Sequence, residues 1–274
     1  MNQNIYATGL SGTIGKHLKE LVIPLNIRLE HLDESTKFEP LTPNSVVIHL
    51  AGIVGYRSID KNEKYSRLIN VESTKTLAKK ALAAGISKFV FISTAHVYKS
   101  SNSPLTENSV IDPINKYAEQ KFEAEEALRD IFKFANEKLC IVRVFGVLDW
   151  DMKPETLGGA VKSLVYSNFS EIINHGRDVR DFSTPRQIAK TVLEIAKAPG
   201  MYGIVNLCSG HGLTVEQAVV KMLDKSKLMF NSTIVNRNNS TTPVILGDNY
   251  KLITYFPKLK MSWSPSDFKL ENKN

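Results

Sequence analysis

Apolar and polar positions follow two rhythms along the first half of the chain, and these predict strands and helices in alternation. Continuous apolar runs begin near Ile5 and recur at residues 45–52, 88–94 and 138–147, and a further strand candidate covers residues 27–32. Runs without polar alternation are typical of parallel strands that are covered on both faces. Apolar residues at helical spacing follow the first strand (Ile14, Leu18, Leu21) and recur over residues 73–84 and 116–134. The alternation predicts an α/β fold with a Rossmann-type doubly wound parallel sheet.

Beyond Val147 the pattern loosens and predicts a smaller C-terminal substrate-binding lobe. Residues 149–159 resemble a loop, residues 160–166 a helix, and residues 230–243 are polar and irregular. Residues 185–198 predict a helix that returns to the sheet. We therefore expect a dinucleotide-binding domain over residues 1–146, rejoined by 181–199, and a lobe formed by 147–180 and 200–274. The last seven residues are expected to fray.

Composition narrows the function classes. The hydrophobic fraction of 42% and the charged fraction of 23% are typical of soluble proteins, and no apolar stretch approaches the roughly 20 residues that cross a bilayer. The N-terminus has no secretion signal, so we expect a cytoplasmic protein without a membrane partner. The net charge of +7 is scattered and forms no dense basic run, which favours an anionic small substrate over nucleic acid. Cys140 and Cys208 lack metal-ligand spacing, so both are expected to be buried and reduced, and no metal site is expected.

Three glycines lie between the first predicted strand and the helix that follows it, in the pattern G-x-x-G-x-x-G: Gly9, Gly12 and Gly15. Glycine permits a tight turn and lets backbone amides approach a pyrophosphate at a helix N-terminus. The triplet alone would suit an ordinary turn. Because it opens the first strand-helix unit of an alternating chain, it predicts dinucleotide binding.

The second strand candidate bears on the choice of dinucleotide. A carboxylate about 20 residues beyond the glycines can accept hydrogen bonds from the adenosine ribose, and it would repel a 2′-phosphate. Asp33 lies at that distance, with Glu30 as the competitor. This favours NAD slightly over NADP, although a solvated strand end is the alternative because three cationic or titratable residues are close: Arg28, His31 and Lys37.

The segment YAEQK places Tyr117 and Lys121 four residues apart on a predicted helix, so both side chains project from one face. A phenol has a reference pKa of about 10 and becomes a usable acid or base when an ammonium stabilises its phenolate. This pair suits alcohol and carbonyl chemistry, although Tyr-x-x-x-Lys also occurs often by chance.

Eight segments occur in the order GLSGTIG, HLAG, NVEST, FISTAHVY, YAEQK, VRVFG, GRDVRDF and VNLCSG. Together they resemble the extended short-chain dehydrogenase/reductase family, in particular its NAD-dependent nucleotide-sugar epimerases, dehydratases and reductases. The likeness extends to about Trp263. It implies a dinucleotide across the sheet edge, a nucleotide-sugar between the lobes, and a homodimer through helices near Ser73 and Lys116.

The resemblance also assigns roles to individual residues. Gly9, Gly12 and Gly15 would form the pyrophosphate turn, with Ala51 and Asn70 near the cofactor. Tyr117 would be the general acid/base, Lys121 would hold the nicotinamide ribose and lower the tyrosine pKa, and Thr94, rather than Ser93, would bind the reacting oxygen. Arg180 would bind the substrate diphosphate, with a surface ion pair to Asp178 or Asp181 as the alternative.

Three departures from the family pattern affect the expected reaction. The 4,6-dehydratases carry Asp-Glu after the catalytic threonine, and this chain has Ala95 and His96, so dehydration is not expected. The frequent asparagine after Arg-x-Phe is Gly146, and the glycine after Val-Tyr is Lys99. His96 is either a third proton-transfer group or a polar wall residue.

These features predict an NAD(P)-dependent oxidoreductase that transfers hydride at a hexose carbon, C4, of a nucleotide-sugar. It would act as a 4-epimerase that retains its cofactor or as a 4-keto reductase that turns it over. A redox sensor or scaffold that binds dinucleotide without catalysis is the alternative from another class.

Overall fold

The structure, a computed structural model, describes residues 3–33, 35–36, 41–54, 56–149, 152, 156, 158–159, 169–173, 177–223, 233–237 and 244–259. Its strands, in chain order, are β1 Ile5–Thr8, β2 Ile23–Pro24, β3 Val46–His49, β4 Lys88–Thr94, β5 Leu139–Val144, β6 Gly146–Val147, β7 Phe169–Ile173, β8 Val179–Ser183, β9 Gly203–Leu207, β10 Gly212–Thr214, β11 Thr233–Arg237 and β12 Val244–Ile245. Its helices are α1 Tyr56–Lys61, α2 Glu63–Arg67, α3 Ser73–Ala83, α4 Lys116–Ile131, α5 Pro185–Lys197, α6 Val215–Leu223 and α7 Tyr250–Tyr255. A π-helical segment, Leu68–Glu72, joins α2 to α3.

Six parallel strands form the central sheet in the order β2-β1-β3-β4-β5-β9. Except in the two-residue edge strand β2, whose residues are exposed, alternate residues of the strands enter two separate cores. On one face Val47, Phe89 and Ile141 pack with apolar residues of α3 and α4, and on the other face Val90 and Val142 pack with α5. Burial on both faces explains the continuous apolar runs. The predicted doubly wound parallel sheet is confirmed.

Two local predictions near the N-terminus are wrong. Residues 27–32 form no strand: β2 lies earlier, at Ile23–Pro24, and Leu29–His31 is a 3-10 turn. The helix expected after the glycines is a 3-10 turn, Gly15–His17, with a further turn bond from Leu21 to Leu18. The chain has to return to the sheet soon after the glycines, because Ile23 already pairs with Tyr6 of β1. Too few residues lie between the two strands for a long helix.

The predicted lobe boundary needs one correction. The boundary assigned residues 200–274 to the lobe, whereas β9 lies in the central sheet with Cys140 opposite Gly203. The predicted returning helix corresponds to α5, which begins with a capping box formed by Thr184 and Gln187. The predicted irregular segment contains β11, which pairs with β7. The predicted helix at 160–166 and the last seven residues lie outside the described residues.

A second, smaller sheet is built around β8. β10 pairs antiparallel with it, and β12 and β6 pair parallel with it. Within the described ranges, no helix is both long enough and apolar enough to cross a membrane. Cys140 and Cys208 are free and buried as expected, and burial raises the pKa of the Cys140 thiol to about 12, so the thiol stays protonated.

Candidate active site

The strand order reverses at β1, which pairs with β2 on one side and β3 on the other. A crevice for a ligand forms at such a switch point, beyond the carboxyl ends of the strands. The glycine turn follows β1 and the HLAG segment follows β3, so both border this crevice. A Cβ atom on Gly9, whose φ is +73°, would lie 2.5 Å from the backbone nitrogen of Ala51. The turn and the HLAG segment therefore pack together without room for a side chain at Gly9.

The turn carries backbone donors that suit a pyrophosphate. The amide of Gly12 donates to Gly9 O at 3.0 Å, and a Cβ on Gly15 would overlap Gly9 O. Within the described part of the chain, four amides of the turn donate no hydrogen bond: those of Leu10, Ser11, Thr13 and Ile14. Unpaired backbone amides around a glycine turn fit a dinucleotide phosphate group, and they do so without the long helix that the sequence predicted.

His49 lies under the crevice and joins three segments. Its Nδ1 is 2.7 Å from Thr8 Oγ1, and its Nε2 is 2.9 Å from Thr74 Oγ1. The ring is fully buried. Burial, and secondly the charge of Lys121, lower the pKa of His49 to about 3. The ring is therefore neutral and holds the ends of β1 and β3 against α3.

The side chain of Asn70 forms hydrogen bonds within the protein. Its Oδ1 accepts a hydrogen bond from Ile53 N at 2.8 Å, and its Nδ2 donates to Ile53 O and to Gln120 Oε1 at 3.0 and 2.8 Å. Both amide protons are thus used. In this structure Asn70 fixes the segment that follows Ala51, and its expected place near the cofactor stays a prediction.

Asp33 does not lie at the end of a strand. β2 ends at Pro24, and the Asp33 side chain is exposed and accepts hydrogen bonds from Ser35 and Thr36. These bonds lower the pKa of Asp33. The carboxylate is occupied in its own turn, so the structure removes the argument that favoured NAD through this residue. Lys37, one of the three neighbours that weakened that argument, lies outside the described residues.

The end of β4 distinguishes Thr94 from Ser93. Ser93 Oγ donates to Glu125 Oε1 at 2.5 Å, on the covered side of the strand. Thr94 is the last residue of β4, and its Oγ1 accepts a hydrogen bond from His96 N at 3.2 Å. Since the Ser93 hydroxyl is committed inside the protein, Thr94 is the hydroxyl of this strand end that remains for a substrate.

Tyr117 and Lys121 lie on α4, which packs against β4 and against the 3-10 turn Ala95–Val97. Asn115 caps the helix by accepting a hydrogen bond from Ala118 N at 2.9 Å. Burial raises the pKa of Tyr117 to about 12. Burial lowers the pKa of Lys121 to about 7, against the opposing charge of Glu125. The expected lowering of the Tyr117 pKa by Lys121 is not found in this structure, so the phenol is protonated.

His96, in the turn after β4, and Arg180, on β8, lie close enough for the charge of Arg180 to act on His96. Burial, and secondly the charge of Arg180, lower the pKa of His96 to about 4, so the imidazole is neutral. Arg180 donates to Asp178 Oδ2 at 3.3 Å and to Val179 O at 2.9 Å. The surface ion pair expected as the alternative therefore exists, and Arg180 still lies close enough to act on His96.

Asp181 anchors the strand that carries Arg180. The Asp181 side chain is fully buried and accepts hydrogen bonds from Ser209 N at 2.7 Å, Ser209 Oγ at 2.6 Å and Gly210 N at 2.9 Å. Gly146, which replaces the family's asparagine, packs against this strand: a Cβ there would lie 2.6 Å from Asp181 O. The close packing of β6 against β8 therefore leaves no room for an asparagine side chain at position 146.

Sequence reasoning missed a buried polar network behind the site. It comprises Tyr98, Glu125, Arg143 and Asn206, all at most 1% exposed. A signal was present: Arg143 interrupts the apolar run LCIVRV, and a charge in a two-sided strand needs a buried partner. The partner, Glu125, could not be identified because it lies on the amphipathic helix α4. No group of three or more metal-ligating side chains is found among the described residues.

Sequence comparison finds a matching protein family and relatives that cover most of this chain. Residues 27–208 match the family described as "Epimerase: NAD dependent epimerase/dehydratase family". The chain is 26% identical over 241 residues to a UDP-glucose 4-epimerase of Rhizobium meliloti (strain 1021), covering 80% of this chain and 72% of that protein. It is 24% identical over 247 residues to a GDP-6-deoxy-D-mannose reductase of Pseudomonas aeruginosa, covering 82% and 80%.

The fold also matches solved structures. RMD from Pseudomonas aeruginosa complexed with NADPH superposes with a TM-score of 0.84 at 22% sequence identity, covering 96% of this chain and 95% of that chain. Other structures with this fold contain NAD.

Proposed function

Because this chain belongs to the NAD dependent epimerase/dehydratase family, we propose that it is an NAD(P)-dependent oxidoreductase that transfers hydride at C4 of a nucleotide-sugar. The direction we propose is reduction of a 4-keto group. The observation that carries the proposal is that α4, which bears Tyr117 and Lys121, packs against β4 and against the turn that follows Thr94, with the buried apolar Ala95 directly after that threonine.

Family membership places the chain among nucleotide-sugar epimerases, reductases and dehydratases that use NAD or NADP. The predicted cofactor class is confirmed at that level, since the family is described as NAD dependent and related structures contain NADPH or NAD. The glycine turn Gly9, Gly12 and Gly15 would hold the pyrophosphate with its unpaired amides. Ala51 borders the same crevice. When bound, the reduced dinucleotide supplies the hydride.

The chain's own residues would supply the proton. Thr94 Oγ1 donates a hydrogen bond to the keto oxygen and orients the carbonyl. Tyr117 gives its phenolic proton to that oxygen as the carbonyl carbon receives the hydride, which yields the alcohol and a phenolate. Lys121, when protonated, stabilises this phenolate and holds the ribose. General acid catalysis of this kind contributes typically about 10²–10⁴-fold.

Two observations support reduction over epimerisation. Burial raises the pKa of Tyr117, a direction that favours the protonated phenol, which donates a proton in reduction, over the phenolate that begins an epimerisation. Asp33, the residue that favoured tightly held NAD, is occupied in its own turn. Elimination of water has no support, because Ala95 has no acid group and His96 is neutral.

Arg180 and His96 would bind the substrate. The Arg180 guanidinium suits phosphate oxygens of the sugar-nucleotide, and a neutral imidazole at His96 can accept or donate a hydrogen bond to a sugar hydroxyl. Proton transfer by His96 stays a prediction, as does a homodimer through α3 and α4.

The test uses the full chain with NADPH or NADH and GDP- or UDP-linked 4-keto-6-deoxyhexoses, with nicotinamide absorbance as the readout. Tyr117→Phe should lower kcat at least about 100-fold while cofactor affinity is unchanged. Tyr250→Phe is the matched control, since Tyr250 is 72% exposed. Full activity in Tyr117→Phe would refute the mechanism.

A second experiment distinguishes the reductase from an epimerase and from a sensor or scaffold. The purified protein is denatured, and any dinucleotide that it releases is identified. Stoichiometric NAD together with interconversion of 4-epimers would replace the reductase by an epimerase. A chain that binds dinucleotide without turning over any of these sugars would be the sensor or scaffold.

A further inference from the structure

The three groups of the proposed reaction lie on two separate elements. Thr94 ends β4, whereas Tyr117 and Lys121 lie on α4. Hydride and proton transfer require these groups to be placed within fractions of an ångström of each other. One buried side chain links the two elements: Glu125 of α4 lies one helical turn beyond Lys121 and accepts a hydrogen bond from Ser93, the residue before Thr94.

Arg143 of β5 holds the same carboxylate. Its Nε donates to Glu125 Oε1 and Oε2 at 3.1 and 3.2 Å, and its Nη2 donates to Oε2 at 2.5 Å. The side chains are 1% and 0% exposed. Arg143 also pairs with Ser93 in the β4–β5 register. Ser93, Glu125 and Arg143 therefore form a closed triangle across β4, β5 and α4, which we call the Glu125 clamp.

Further buried side chains pack against Arg143 of the Glu125 clamp. The Arg143 guanidinium carbon lies 4.6 Å from the centre of the Tyr98 ring. The Tyr98 hydroxyl donates to Asn206 Oδ1 at 2.7 Å, and Asn206 Nδ2 donates to Leu105 O at 2.8 Å. A buried ion pair is costly to desolvate and is often no better for stability than apolar residues of similar size. We therefore attribute the buried ion pair of Glu125 and Arg143 to the positioning of the residues of the proposed active site.

Resting on the function proposed above, we propose that Glu125 is the positioning residue of this site. It holds the Thr94 end of β4 in register with Tyr117 and Lys121 of α4, and it places a negative charge one helical turn from Lys121. Glu125 does not touch substrate or cofactor, so it acts through Ser93 and through Lys121.

The charges around Lys121 support the second part of this role. Lys121 is 4% exposed, and its Nζ lies 4.2 Å from the centre of the Phe91 ring of β4. The neutral ring of His49 faces it from β3. Burial lowers the pKa of Lys121, and Glu125 is the group whose charge raises it. Without the Glu125 carboxylate, Lys121 would be surrounded by apolar and neutral groups, and the Arg143 charge would be left uncompensated.

The geometric part is tested with Ser93→Ala, which removes one hydroxyl and keeps the ion pair of Glu125 with Arg143. We expect kcat for the 4-keto sugar to fall about tenfold with KM and NADPH affinity unchanged. Ser103→Ala, at an exposed serine, is the matched control. If the clamp were merely structural, the melting temperature would fall while the kcat of the folded protein stayed at the wild-type value, and that result would overturn this part.

The electrostatic part is tested without turnover. Glu125→Gln is compared with Glu126→Gln, the same change at an exposed carboxylate of the same helix. Each full chain is acetylated with trace isotopic acetic anhydride across pH, and the Lys121 peptide is quantified by mass spectrometry. The midpoint for Lys121 should fall by about one pH unit or more in Glu125→Gln and stay at the wild-type value in Glu126→Gln.

The outcomes distinguish this inference from the proposed function. An equal Lys121 midpoint in the two variants overturns the charge role. A shifted midpoint in a chain that reduces no nucleotide-sugar supports the charge role of Glu125 and removes the reductase. If Glu125→Gln does not fold, Glu125→Asp is labelled instead, and because its shorter carboxylate retains the charge, the Lys121 midpoint should then remain near the wild-type value.

Discussion

Restoring the family's asparagine at position 146 should destabilise this protein. In Gly146→Asn the new Cβ would lie 2.6 Å from the Asp181 carbonyl oxygen and 2.7 Å from Phe182 Cδ1. The first of these atoms is backbone within β8, so it can move only if β6 separates from β8. Forcing extra atoms into a well-packed core costs typically about 1–3 kcal/mol. For a chain of this size that corresponds to a fall in melting temperature of about 2–4 °C for each kcal/mol.

The measurement is urea unfolding followed by circular dichroism, with Gly85→Asn as the matched control. Gly85 follows α3 with φ +73°, and its Cβ position has no neighbour nearer than Pro43 Cβ at 4.0 Å. Asparagine is tolerated in that left-handed region, so we expect the control to lose less than about 1 kcal/mol. A free energy of unfolding for Gly146→Asn that equals or exceeds that of Gly85→Asn would refute the packing explanation for the missing asparagine.

Two further predictions concern His49 and the glycine turn. Because the pKa of His49 is lowered from its ordinary value of 6.5 to about 3 in the folded chain, the unfolded chain binds the proton more readily, and stability should fall as the pH drops below 6.5. The loss should be about 2 kcal/mol at pH 5 relative to pH 7.5, measured by urea unfolding; a His49→Gln variant with the same pH dependence as wild type would contradict this. Gly15→Ala should weaken NADPH binding at least about tenfold by distorting the turn, whereas Gly12→Ala, whose Cβ would lie 3.3 Å from Gly9 O, should weaken it less. Fluorescence titration decides, and equal affinities for the two variants would count against the turn as the pyrophosphate site.

The parts of the fold that the sequence predicted correctly depend on neighbouring residues. The apolar runs of β3, β4 and β5 mark strands buried on both faces, because alternate positions enter the two cores around Phe89 and Val90. The spacing of Tyr117 and Lys121 predicts one helix face, and α4 places both there. The same local logic failed over residues 27–32, where two buried leucines three residues apart, Leu29 and Leu32, belong to a 3-10 turn.

The sequence by itself therefore determined the alternating α/β architecture, the glycine turn and the family, since each is carried by short segments whose meaning does not depend on distant residues. Tertiary structure alone decided that β9 completes the sheet beside β5, that Asn70 binds Ile53 directly after the HLAG segment, and that Glu125 joins Ser93 to Arg143. The physical reason is that a buried polar side chain must be paired, and its partner is chosen by packing between elements far apart in the chain.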